Sequence, residues 1–236
     1  MNISNSTSSN LLNEPYTIVL GTFLFSLTIV TTAGNVIVLL AILRAKHLMS
    51  TISKIFISSL ACADLLTGVI VMPLTVFLTI SGIWNFGQIM CDIYNSISMV
   101  SAIASLETLC FIAIDRYIAI TAPLRYLALV TPRRALVLTI LGWIVSGVLA
   151  LQAIWTTWWN SDHPLAQACY EDPTCCDFIT SKSFAVVSVT IAFYIPLGVM
   201  VIVYSRVLKE AELQVRNNNN VFACGFVTHS SVFKEL

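Results

Sequence analysis

Three groups of residues carry what chemistry this chain of 236 residues can offer. Asp115-Arg116-Tyr117 sets an acid beside a base. In a poorly hydrated setting the two attract, and protonating the acid would release the guanidinium to another partner. That is the chemistry of a switch rather than of a catalyst. Cys91, Cys169, Cys175 and Cys176 are thiols that an oxidising compartment would join. Asp64 and Glu107 are carboxyl groups inside otherwise apolar runs, where ionisable side chains are costly and usually functional. No nucleophile–base set, metal-ligand spacing or phosphate-binding loop accompanies them, so neither an enzyme nor a metal centre is expected.

The elements that must position these groups are long apolar segments. Cys91 and Asp115 stand twenty-four steps apart, about 36 Å along a helix, enough to cross a bilayer and end in both interfaces. Composition agrees. The chain is 57% hydrophobic and only 10% charged, where a soluble domain carries about 25%. Its net charge is zero and no basic cluster is dense, which sets nucleic acid aside as a partner. Five spans are expected, at Ile18–Leu43, Ile55–Ile80, Ile89–Ala122, Ala135–Thr157 and Phe184–Leu208. The fold class is thus an all-α membrane protein, a five-helix transmembrane bundle. Three regions follow: an outer N-terminal segment over 1–16, the membrane domain over 17–212, and a tail over 213–236.

Charge sets the expected orientation. Eleven of the twelve Lys and Arg residues fall on one side, in the turn after the first span, the link between the third and fourth, and the region after the fifth. Only Lys182 falls on the other. Basic residues concentrate in cytoplasmic loops, so the N-terminus is placed outside and the C-terminus in the cytoplasm. The polar N-terminus lacks the form of a cleavable signal peptide, leaving the first span as the insertion signal. Sequons at Asn2 and Asn5 then lie outside, as candidate glycosylation sites.

Cys91, Cys169, Cys175 and Cys176 share the oxidising side, and four cysteines allow three pairings. Joining the adjacent Cys175 and Cys176 is sterically awkward. Cys169 and Cys175 bracket a turn-prone segment, Tyr170 to Thr174. Cys176 is left for Cys91, pinning the outer loop to the third span. For Asp64 two readings stay open: it holds a small cation or a proton, or it is satisfied by Asn35 and nearby hydroxyls. Glu107 reads as a protonated, hydrogen-bonded structural acid.

Several motifs together carry a family resemblance. They are Gly34-Asn35-Val36, Leu60 through Leu65, Trp84 with Phe86-Gly87, Glu107 through Cys110, Asp115-Arg116-Tyr117 and Trp143. To these are added the double-cysteine loop from Cys169 to Phe178, Phe193-Tyr194-Ile195-Pro196, and Tyr204. Over residues 17–215 the chain resembles the rhodopsin-like (class A) G-protein-coupled receptors, and within them the β-adrenergic receptors. The resemblance implies a plasma-membrane receptor of seven helices that senses catecholamines and activates a stimulatory heterotrimeric G protein and adenylate cyclase. Both cysteine pairs match that pattern. It implies that Arg116, with Asp115 and Tyr117, contacts the G protein, that Tyr126 shapes the second inner loop, and that Tyr204 belongs to the same switch. It also implies a sodium site at Asp64 and Asn35, and a ligand pocket with Ser98, Met99, Phe178 and Ser188.

The chain departs from that pattern in three places. Amine-binding members carry an aspartate where Ser98 stands, and serines where Ser188, Val189 and Ala192 stand. Weak or absent catecholamine binding is therefore expected. No counterparts of helices six and seven follow Arg216, so a chain truncated after the fifth helix is expected. This opens a second functional class: a non-signalling membrane protein that associates with full-length receptors and holds them inside the cell.

Overall fold

The computed structural model describes residues 15–44, 50–155 and 160–232. Asn2 and Asn5 lie outside the described residues. Among the described residues, five helical spans are long and apolar enough to cross a membrane. The first is α1 (Pro15–Arg44). The second joins α2 (Thr51–Leu66), a π-helical turn (Thr67–Val71) and α3 (Met72–Ser81). The third is α4 (Gly87–Thr121), followed by the short α5 (Pro123–Leu129). The fourth is α6 (Pro132–Trp155), and α7 (Pro164–Glu171) lies in the loop beyond it. The fifth joins α8 (Lys182–Val189), a second π turn (Thr190–Tyr194) and α9 (Ile195–Val232). No strand is assigned among the described residues.

Both π turns have the same local cause. Pro73 and Pro196 each follow one closely. A proline ring clashes with the carbonyl four residues back and offers no N–H, so the preceding turn widens. The span bounds differ from expectation mainly at the fifth. The apolar span ends at Leu213, and its helix continues to Val232. Leu208-Lys209-Glu210-Ala211-Glu212-Leu213 contains only strong helix formers, and nothing there stops the helix. The helices α5 and α7 were also not anticipated. Each opens on a proline in its first turn, a position whose N–H would be unpaired anyway.

The bundle turns its large apolar side chains outward. Phe23, Ile37, Leu141, Val186 and Ile202 are all exposed. Apolar surface on this scale suits lipid as its solvent. The interior is instead lined by small residues: Ala61, Ala63, Ala104, Ala113, Ser101 and Ser146. Small side chains let helix backbones approach closely where lipid supplies no hydrophobic drive.

The third span is the hub, packing against the second, fourth and fifth. Hydroxyls stitch it to its neighbours. Ser59 and Thr108 share a 3.3 Å bond, and the Trp143 indole donates to Ser59 at 3.0 Å. Thr67 donates to Ser101 at 2.9 Å, and Thr75 pairs with Tyr94 at 2.9 Å. The Cys110 thiol donates to the Pro196 carbonyl at 3.5 Å. The first span packs on the second, and the fifth on the third, leaving an open arc.

Candidate functional site

At one end of α4, disulfides join Cys91 to Cys176 and Cys169 to Cys175. Cys91 and Cys176 are buried with Trp84, which is 1% exposed. The Trp84 indole donates to the Gly87 carbonyl at 2.8 Å, and its backbone N–H donates to Thr174 at 2.8 Å. Gly87 sits at φ +77, a conformation that side chains disfavour. Asp172 accepts from the Thr174 N–H at 2.8 Å and from its hydroxyl at 2.7 Å. Those bonds hold the Asp172 carboxyl below its usual range. Cys169, Cys175 and Asp177 lie close enough to suggest a metal site. Both sulfurs are consumed by their mutual bond, so they offer no thiolate.

At the other end, Asp115 is buried, with its side chain only 2% exposed. Its two oxygens have separate partners. One lies 3.2 Å from Arg116, and the other accepts the Tyr126 hydroxyl at 2.8 Å. Arg116 also donates to the buried Ser53 hydroxyl. The guanidinium remains 48% exposed, so it is accessible from its own end of the bundle. Tyr126 comes from α5, which packs on a cluster of Ile52, Phe56 and Ala135. Burial chiefly, and then the bond to Asp115, raise the Tyr126 phenol above its ordinary titration range. Tyr117 is half-buried one residue beyond, and Tyr204 is exposed on the fifth span. Sequence reasoning missed Ser53, whose only signal was a hydroxyl eleven residues before Asp64.

Within the span, Ser105 donates to Asp64 at 3.0 Å. The Asn35 amide donates to the Thr31 carbonyl at 2.9 Å. Of the Asn35 and nearby hydroxyls expected around Asp64, the bond described is that of the Ser105 hydroxyl. A turn of α1 offers Asn35 a nearer acceptor on its own helix. Asp64 and Ser105 supply oxygen donors of the kind a hard cation takes. Glu107 accepts from Ser146 at 3.2 Å, against Gly142, where an added Cβ would stand 2.9 Å from the carboxylate.

The residues expected around a ligand come from two spans and the outer loop. Ser98 and Met99 are half-buried on α4, and the Ser98 carbonyl accepts from Ser101 at 3.1 Å. Ser188 bonds back to its own helix, at the Phe184 carbonyl, 2.7 Å away. Phe178 lines a cavity beside the disulfides that none of the other three reaches.

A bundle of membrane-spanning helices, covalently tied at one end and held by an acid–base pair at the other, is the build of a multi-pass receptor. The profile of the "7 transmembrane receptor (rhodopsin family)" matches residues 34–232, and the chain belongs to that family of class A G-protein-coupled receptors. It is 35% identical over 202 residues to the D(1B) dopamine receptor of Xenopus laevis, covering 84% of this chain and 43% of that protein. It is 38% identical over 196 residues to Dopamine receptor 2 of Drosophila melanogaster, covering 83% and 35%. To the Octopamine receptor beta-2R of the same fly it is 32% identical over 181 residues, covering 77% and 33%. The chain thus spans less than half the length of these relatives, which are receptors rather than enzymes.

Proposed function

We propose that this chain is the membrane-embedded part of an amine receptor of β-adrenergic type. It sits in the plasma membrane with its N-terminus outside and its C-terminus in the cytoplasm, and it acts on a stimulatory heterotrimeric G protein. The observation that carries this reading is the group at the end of α4. Asp115, buried and bonded by Tyr126, holds an Arg116 that is half exposed. Proton uptake by Asp115 would free that guanidinium for the G protein, with Tyr117 next in sequence and Tyr204 of the fifth span as further parts of the switch. The double-disulfide loop occupies the far end of the same helix, where a ligand arrives. The relatives' printed names, dopamine and octopamine receptors, support an amine as that ligand. Asp64 and Asn35, with the Ser105 hydroxyl on Asp64, would hold sodium.

Ser98 supplies no charge to such an amine. Losing one partner of a buried charge pair costs about 2–5 kcal/mol, tens to several thousandfold in affinity. Ser98→Asp is therefore expected to raise catecholamine affinity by at least tenfold in competition binding, and no gain would sink this account of the pocket. Agonist-driven cyclic AMP above vector background tests the signalling itself.

One observation favours a second reading. The first and fifth spans stand at the two edges of an open arc, each exposing most of its apolar surface. Such edges suit association with full-length receptors. Reduced surface display of a co-expressed relative would support it, and unchanged display would remove it.

A further inference from the structure

The link from α5 to α6 carries a sequence that the receptor reading does not use. Thr131-Pro132-Arg133-Arg134 places a hydroxyl before a proline and two guanidinium groups. That is the order in which proline-directed protein kinases take their acceptor. Val130 and Thr131 lie between the two helices, Thr131 is half-buried, and Pro132, Arg133 and Arg134 are exposed. Only the first turn of α6 would open for a kinase to engage the segment.

The same residues hold α5 in place. Nη1 of Arg134 donates to the Ala128 carbonyl at 3.2 Å and to the Leu129 carbonyl at 2.9 Å. Both carbonyls belong to the last turn of α5, where a helix offers them no partner of its own. The Arg134 N–H donates to the Thr131 hydroxyl at 3.4 Å. One turn earlier on α5, Tyr126 donates to Asp115 at 2.8 Å. Tyr126 and Val130 pack on the cluster that includes Ala135. Arg134 therefore connects the hydroxyl of Thr131 to the helix that holds the acid of the switch.

We propose that Thr131 is a phosphorylation site, and that its phosphate draws Arg134 away from α5. The γ-phosphoryl group of ATP passes to the Thr131 oxygen. The new O–P bond forms as the bond to the ADP oxygen breaks, and the hydroxyl proton leaves to the kinase's base. The product carries a charge of about −1.5 to −2 and three acceptor oxygens. Phosphate takes a guanidinium in charge-assisted bonds roughly twice as strong as neutral ones, so the two carbonyls lose their donor. The end of α5 loosens, and the Tyr126–Asp115 bond with it. The inference rests on the reading that places this end of the bundle in the cytoplasm, where ATP and kinases are found.

The test uses the full chain in lipid nanodiscs, open on both faces, with a purified cyclin-dependent kinase and ATP. Mass spectrometry should find phosphate on Thr131, retained at that position in T131S and lost in T131V. P132A should lower it at least tenfold. Amides of residues 124–130 should exchange at least threefold faster in the phosphorylated chain, and those of 84–91 at an unchanged rate. R134Q should show the same faster exchange without phosphate. No phosphate on Thr131 in a chain whose Cys91–Cys176 bond is intact, undiminished phosphate in P132A, or unaltered exchange in either case would each overturn the inference. Cells separate the two readings. Phosphate on Thr131 is expected there, and its absence, with Arg133 protected from trypsin outside intact cells, overturns the inference while the orientation stands. Cleavage at Arg133 in intact cells overturns the orientation, and the inference falls with it.

Discussion

The two ends of α4 are built on opposite principles. At Cys91 the helix is fixed covalently, by a bond that closes 85 residues of chain and is packed under a buried tryptophan. At Asp115 it is fixed by an ion pair and two hydroxyl contacts, all of which can exchange partners. A closed loop of that length removes about 4–5 kcal/mol of unfolded-state entropy on a chain-entropy account. A single net hydrogen bond contributes about 0.5–1.5 kcal/mol, or up to about 3 with a charged partner. One end is thus a fixed reference and the other can rearrange at modest cost.

The largest effect is expected where the covalent end is opened. Cys91→Ser should cost about 2–5 kcal/mol, read as a large drop in Tm and in folded yield from detergent extracts. A loss no greater than that of Tyr126→Phe would erase the contrast between the ends. Next comes Asp115→Asn, which removes a buried charge from two partners. A cost of about 1–3 kcal/mol is expected, together with faster proteolysis at Arg116 or Arg125, since both lie at the loosened end. Unchanged cleavage would mean that the acid does not hold the arginine. Tyr126→Phe should cost about 1 kcal/mol and leave the disulfide end unaltered by hydrogen exchange.

The smallest effect is one of pH, at the covalent end. The Asp172 carboxyl titrates below its unfolded value because Thr174 bonds its charged form. That contribution is present above the unfolded pKa and is lost as pH falls through the lowered folded value. Amides around Cys169–Cys175 should therefore exchange faster, relative to the rest of the chain, below about pH 4. Asp172→Asn should abolish the difference, and persistence in that variant would place its cause elsewhere.

Much of this was legible in the residue order. Apolar runs of bilayer length announce spans whatever their partners, because the backbone must satisfy itself in lipid. The double-cysteine loop could be paired by elimination, since neighbouring cysteines join poorly and a short turn joins well. The breaks in regularity were less legible. Pro73 and Pro196 are visible, yet a π turn is only one of several ways a helix can absorb a proline. The passage of the fifth helix beyond residue 213 was obscured by the asparagine run at 217–220, which reads as low complexity.

Partners across helices were hardest to read. Asn35 and nearby hydroxyls were expected around Asp64, but which hydroxyl was not legible: it is that of Ser105, while the Asn35 amide bonds within its own helix. Ser53 reaches Arg116 across 63 positions of sequence, and no local pattern marks that approach. By itself, the sequence determined that this is a membrane protein of at least five spans, with a cross-linkable loop and an acid–base pair a bilayer apart. Hydropathy and spacing act along the chain and need no fold to be read. Only the tertiary structure decided which hydroxyl meets which carboxylate. Those outcomes depend on how each helix is rotated against its neighbours, which small buried side chains permit and long-range packing selects.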